Sequence, residues 1–280
     1  MKRLPSPAPL LALFLVTSLG ILPMTMIPPS AIAAESLPLP RALTLGETHP
    51  VIEVVDADTV RLGDKRQVRL VGLQGPKLPL GRPNYPTWPL APEARAHLAA
   101  LIGDGPVTLH YGGAREDRHG RILAHLTTAE GTWLQGAMLA AGYARVYTFD
   151  DNRSLIAEML ALEAEARTAK RGIWANSYYR IRTLDGMGGG LQGTTDSFQI
   201  VEGRVLAVGL SRDRAFLNFG PDYKTDFTIA IAKRDFKNFG RGFDPKRFEG
   251  ERLRVRGWVE AVNGPSIDVT HPEQIEVLAK

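Results

Sequence analysis

The sequence predicts a β-rich α+β protein: two small β-barrels, the first carrying three helices, with a glycine-rich linker between them. Three observations predict it. Short apolar runs separated by turn residues recur from Val51 to Leu73 and again from Phe198 onward, as in small barrels. Between these regions lie three stretches of helical period, the clearest from Ser154 to Arg171. Gly188-Gly189-Gly190 then marks a flexible joint by composition.

The N-terminus is read first. Lys2 and Arg3, the apolar run Leu10 to Leu22 and the small residues Ala31-Ile32-Ala33 form the three-part pattern of a secretory signal peptide over residues 1–34. An exported protein, periplasmic or secreted, is expected. Pro23, Pro28 and Pro29 stop the apolar run short of the roughly 20 residues a membrane span needs. Residues 35–50, with three prolines and no regular period, read as a leader.

The first domain is expected over residues 51–180. Val51 to Val55, Thr59 to Leu62 and Gln67 to Leu73 read as three strands of a meander, turning at Asp56-Ala57-Asp58 and at Gly63-Asp64-Lys65. Leu78 to Pro92 is proline-rich and reads as loop. Pro92-Glu93-Ala94 opens a helix, with proline in its first turn and Ala94, Leu98, Leu101 and Ile102 on one face. Val107 to Tyr111 and Ile122 to Leu126 are strands about the turn Asp117 to Arg121. A second helix begins at Trp133 and ends near Gly142. The third places Leu155, Met159, Leu162 and Ala166 inward and stops at Gly172.

Residues 181–197 read as the linker and residues 198–280 as the second domain. Its five short strands, with an insert at Arg234 to Phe248, suit a second small barrel. Phe236, Phe239 and Phe243 are spaced to face inward, leaving the neighbouring Lys and Arg in solvent. No sequence repeat relates the halves.

Composition narrows the chemistry. Cysteine is absent, which excludes disulfides, thiolate metal sites and a lipid-modified cysteine. The formal charge of +4 falls to +2 once Lys2 and Arg3 are removed, so binding to a polyanion requires a local patch. The six histidines show no metal-ligand spacing. His119, in the Asp117 to Arg121 turn, reads as solvated.

Along the chain, in order, stand Asp56-Ala57-Asp58-Thr59, Arg69, Pro76, Pro92-Glu93-Ala94, Asp117-x-x-Gly120-Arg121, Gly142-x-Ala144 and Ile173-Trp174. Over residues 51 to 175 this ordered set resembles the thermonuclease family, typified by staphylococcal nuclease. The resemblance implies a five-stranded oligonucleotide-binding-type barrel with three helices, and nucleic acid or another phosphate polyanion as partner. It also implies a calcium ion held by carboxylates and a backbone carbonyl, a glutamate acting on the attacking water, and two arginines on the phosphate. Carried over, Asp58 is a metal ligand, and Arg69 and Arg121 are the catalytic, phosphate-binding arginines. Tyr147 and Phe149 fall where members place substrate-contacting aromatics.

Three positions depart from that pattern. The second calcium carboxylate falls at Gln74, the carbonyl-donating threonine at Gly75 and the glutamate at Lys77. Asp56 and Asp58 then face Arg69, Lys77 and Arg121, and calcium affinity follows ligand charge. Loss of a general base alone typically costs ~10²–10⁴-fold. The expectation is phosphodiester binding with weak or absent hydrolysis. Two alternatives stand beside it: a calcium-dependent endonuclease with a rearranged site, and a non-catalytic module that binds a protein at the cell envelope.

Overall fold

The computed structural model describes residues 37–184 and 190–279, which belong to one compact unit. The expected signal peptide, and residues 185–189 of the expected linker, lie outside the described residues.

Strand β1 (Thr44–Asp56) is long because it serves two neighbours. Its second half pairs with β2 (Thr59–Leu62), and its first half pairs with β5 (Pro106–Tyr111). With β3 (Gln67–Leu70) and β6 (Ile122–Thr128) these strands close a five-stranded barrel in the order β1-β2-β3-β6-β5. Alternation fills it: Val60, Leu62, Val68, Leu70, Ile122 and Ala124 point into the core, so Arg61, Arg69 and Leu123 point outward.

The leader reading needs correction here. Residues 44–50 are barrel strand, and Leu37, Leu39 and Leu43 pack on the first core, with the Leu37 carbonyl accepting Trp133 N–H at 2.6 Å. The sequence carries no strand alternation there because the segment is covered only at intervals.

Three α-helices lie against this barrel: α1 (Ala91–Ile102), α2 (Leu134–Ala140) and α3 (Ile156–Thr168). Helix α1 buries Ala91, Ala94, Leu98 and Ile102 and stops at Gly103. Helix α3 buries Ile156, Met159, Glu163 and Ala166. A carboxylate, Glu163, joins the fully buried stripe, and the expected Leu162 packs against the first core while only partly buried. A two-stranded ladder, β4 (Leu73–Gln74) with β7 (Arg145–Val146), ties the loop after β3 to the segment after α2. Gly142 and Gly172 meet directly: a Cβ on Gly172 would stand 2.2 Å from the Gly142 carbonyl oxygen. That close approach explains why these two positions carry no side chain.

In the second region, β9 (Ser197–Arg204) and β10 (Ala207–Leu210) are separated only by Val205 and Leu206. Beyond them run β11 (Arg214–Asn218), β12 (Thr228–Ala232), β13 (Arg252–Ala261) and β14 (Pro265–Asp268). The ladder order is β10-β11-β12-β14-β13-β9, extended by β8 (Arg182–Thr183) on β9 and by β15 (Ile275–Val277) on β13. The expected barrel is therefore not sealed by an unbroken strand ladder. The chain itself carries β9 into β10 at that corner, where Val205 N–H bonds Glu251 and Leu206 N–H bonds Asn218.

Counting β9 and β10 as one bent strand, the order repeats that of the first barrel. The parallel pair β12–β14 stands where β3–β6 stands. The insert between β12 and β13, two short 3-10 turns at Lys233–Phe239 and Pro245–Phe248, takes the place of α1. Phe236, Phe239 and Phe243 pack against the second core, as their spacing predicts. Of the expected linker, β8 is paired to β9 and Leu191 is buried in the second core.

Charged and polar contacts join the two barrels. The Arg256 guanidinium of β13, itself buried, donates to both Glu163 carboxylate oxygens at 3.0 and 3.1 Å and to Glu276 at 2.6 Å. Arg153 donates to Glu273, and Thr148 bonds His271 at 2.7 Å. Among the described residues, no helix is long and apolar enough to cross a membrane.

Candidate phosphate-binding site

Asp56 closes β1, and Asp58 precedes β2, so the turn between them presents two carboxylates at one corner of the barrel. Asp58 is fully buried. Its Oδ2 accepts the Gly75 N–H at 2.8 Å and Lys77 Nζ at 2.5 Å. Its Oδ1 accepts Lys77 Nζ at 2.6 Å, Thr59 Oγ1 at 3.1 Å and the Arg69 guanidinium. Asp56 Oδ1 accepts the Asp58 N–H, and Asp56 Oδ2 accepts Lys77 Nζ, each at 3.1 Å. The ammonium of Lys77 thus bridges both carboxylates directly.

Titration of the pair follows from these contacts. Burial opposes ionisation of Asp58, but the Arg69 and Lys77 charges outweigh it and hold the carboxyl well below the usual range. Burial and the neighbouring Asp58 charge push Asp56 up, against the pull of Lys77. Two carboxylates therefore share two cations in a closed, charge-balanced cluster.

Gly75 is required by the same packing. A Cβ there would stand 2.4 Å from the Ala57 Cβ, so the threonine of the family pattern cannot be seated without displacing the turn. Gly75 presents its N–H to Asp58, rather than a carbonyl to a cation.

Gln74 faces the other way. Its Oε1 accepts the Nε and Nη2 hydrogens of Arg145 at 3.0 and 2.8 Å. Arg145 is buried among the rings of Phe198, Tyr179 and Trp88, at 4.5, 5.7 and 5.9 Å, and burial lowers its pKa to about 10.

A calcium ion, implied by the resemblance, does not fit this donor set. Hard cations take about 6–8 oxygen ligands. All four carboxylate oxygens of Asp56 and Asp58 already accept N–H or O–H donors, the Gln74 oxygen is turned onto Arg145, and Lys77 supplies the positive charge. Among the described residues, no three His, Asp or Glu side chains converge elsewhere as a cation site.

Arg69 and Arg121 share a face. Arg69 pairs with Leu123 across the parallel β3–β6 ladder, and Arg121 lies two residues before Leu123, so both side chains leave the barrel on its outer side. Arg121 is held by its own turn: Asp117 Oδ2 accepts its Nε at 2.7 Å, and burial of Asp117 is outweighed by its hydrogen bonds to Arg121 and His119, which lower its pKa. His119 is exposed on that turn and donates its N–H to Asp117.

Tyr147 and Phe149 have another engagement. Tyr147 Oη accepts Trp258 Nε1 of the second barrel at 2.9 Å, and its ring packs edge-on against Phe149 and Phe198 at 4.8 and 4.9 Å. Sequence reasoning missed Arg145, Glu163 and Trp258. Arg145 sits between Ala144 and Val146, and nothing local announces that a guanidinium is buried there.

The sequence resembles known proteins in one part of the chain. Residues 67–176 match the family described as Staphylococcal nuclease homologue, a range that starts at β3 and so follows Asp56 and Asp58. Over 130 residues, 45% of this chain, it is 34% identical to an uncharacterized protein of Bacillus anthracis, covering 59% of that protein. Over the same length it is 31% identical to Endonuclease YncB of Bacillus subtilis (strain 168), covering 60% of it. It is 29% identical to an uncharacterized endonuclease of Escherichia coli, with 76% of that protein covered. The chain thus spans less than two thirds of the first two relatives.

Proposed function

We propose, from the premise that this chain carries a thermonuclease-like domain of the staphylococcal nuclease homologue family, that it binds nucleic acid phosphodiesters without calcium and hydrolyses them weakly or not at all. One observation carries this reading. The Lys77 ammonium is bonded to both Asp56 and Asp58, where a cation-binding member would need free carboxylate oxygens. Arg69, whose side chain is 12% exposed, and Arg121, 31% exposed, are the groups that reach a phosphate. A guanidinium offers paired donors matched to phosphate oxygens, and Lys77 adds a point charge behind them. With Lys77 at the glutamate position, the cluster holds no base to take a proton from water.

The endonuclease names of the relatives favour a second reading, hydrolysis at a rearranged site. Export rests on residues 1–34 and is proposed with the function: the protein meets its ligand outside the cytoplasm.

The test uses the purified chain with single-stranded DNA and RNA, with calcium or with chelator. Binding should weaken with salt and in Arg69→Ala and Arg121→Ala, with no calcium-stimulated product. Chelator-sensitive cleavage abolished by Arg69→Ala would overturn the reading. Failure to bind any polyanion at low salt would leave the protein-interaction alternative.

A further inference from the structure

Of the aromatic pair expected beside the phosphate, Tyr147 is committed to the second barrel through Trp258 and Phe198, while Phe149 packs edge-on against Tyr147 and is 49% exposed. On the other side of Lys77, a different surface has the composition for nucleotides. Residues 78–92 contain no Asp or Glu, and neither do residues 166–184. These two segments pack together: the Trp88 and Tyr178 rings lie 5.8 Å apart, and Tyr179 Oη donates to the Pro89 carbonyl at 2.6 Å. Tyr178 is 45% exposed, with Trp88 and Tyr85 partly so.

Cations surround the rings. Arg82 covers the Tyr85 ring at 3.5 Å, Arg182 lies close enough to Tyr178 to bear on its titration, and Arg145 lies beneath Trp88 and Tyr179. Among the described residues, none of Arg82, Arg145, Arg180 and Arg182 forms an ion pair with a carboxylate. The surface is also continuous with the phosphate site, because the Lys77 carbonyl accepts the Trp88 N–H at 2.9 Å.

A groove on the second barrel lacks this character. About 740 Å³ in volume, it lies on the outer face of β10-β11-β12-β14, where Glu260 and Asp268 outnumber Arg214. A polyanion is not drawn there.

We propose that Tyr85, Trp88 and Tyr178, flanked by Arg82 and Arg182, form a stacking subsite for unpaired nucleotides of a strand whose phosphate is held at Arg69 and Arg121. The inference rests on the phosphate reading above and adds the side on which the bases lie. Bases stack on rings regardless of sequence, and arginines beside them track the backbone. A duplex cannot use the subsite, since its bases are already stacked and paired.

The experiment measures binding of a fluorescent oligo-dT and of a duplex of equal length to the full chain, in wild type, Tyr178→Ala, Trp88→Ala and Phe149→Ala. Trp88→Phe retains a ring and reports whether loss at that position is one of stacking or of folding. Wild type should prefer the single strand. Tyr178→Ala and Trp88→Ala should each lose on the order of 10-fold for oligo-dT with duplex binding unchanged, and Trp88→Phe should recover most of it. Phe149→Ala should bind as wild type. Equal loss for both probes, no loss in Tyr178→Ala and Trp88→Ala, or loss confined to Phe149→Ala overturns the subsite while leaving the phosphate reading standing. Wild type that binds neither probe overturns both.

Discussion

The buried guanidinium of Arg145 is bound by the amide oxygen of Gln74 at 2.8 Å, and among the described residues no carboxylate pairs with it. The charge is instead spread over the rings of Phe198, Tyr179 and Trp88. Gln74→Glu puts a carboxylate oxygen in the same position, so the hydrogen bonds become charge-assisted. Stabilisation of about 1 kcal/mol is expected after the carboxylate's own desolvation. Chemical denaturation reads it, and an unchanged or lowered midpoint would show that desolvation dominates.

Lys77→Gln removes the cation shared by Asp56 and Asp58. The variant should lose stability on the order of 3–5 kcal/mol, as when one partner of a buried ion pair is deleted. Millimolar calcium should recover part of that loss by mass action and leave the wild type unmoved. Thermal melts with and without calcium decide it; an equal calcium shift in the wild type would contradict the role given to Lys77.

Gly75→Thr tests the turn. The added Cβ meets Ala57 at 2.4 Å, and overpacking of this kind costs typically 1–3 kcal/mol. Gly75→Thr with Ala57→Gly should recover part of the loss in the same melts, because the clash is between those two carbons.

The junction of the barrels depends on Arg256 and Glu163, both buried. Glu163→Gln should destabilise by roughly 3–5 kcal/mol, since it leaves Arg256 without its main counter-ion. Replacing both residues by Met should cost less than the single change. A double variant as unstable as the sum would assign the loss to packing instead.

His125 and His271 set an acid-side slope. Burial lowers each to about 4, and the unfolded chain protonates its histidines near 6.5. The unfolded state therefore takes up protons first, and stability falls as pH drops from about 6.5 to about 4, by roughly 3 kcal/mol per histidine at most. Asp58, held low, gives up its contribution only below about pH 4. Asp56, pushed up, acts in the opposite sense, so the slope is read as the difference between wild type and His271→Gln. Parallel pH profiles for the two proteins would sink the assignment.

Alternation in Thr59 to Leu62 and Gln67 to Leu70, the helix signals at Pro92 and Gly172, and the inward spacing of Phe236, Phe239 and Phe243 determine the barrels and their inserts locally. The ordered motif set carries the resemblance to the thermonuclease family, and its departures at Gln74, Gly75 and Lys77 are visible without coordinates. Those signals are local, a matter of period, turn chemistry and residue identity.

Partnership is not local. Only the tertiary structure decides that Lys77 lies across Asp56 and Asp58, that Arg145 is buried on Gln74, and that Tyr147 is engaged by Trp258, 111 residues away. The same holds for residues 44–50, whose strand character comes from pairing with β5 across more than fifty residues. The repeat of strand order in two barrels without sequence likeness has the same origin. Burial of a charge is set by what packs over it, and which segment does so is written in the whole chain's topology, not in the neighbours of the residue.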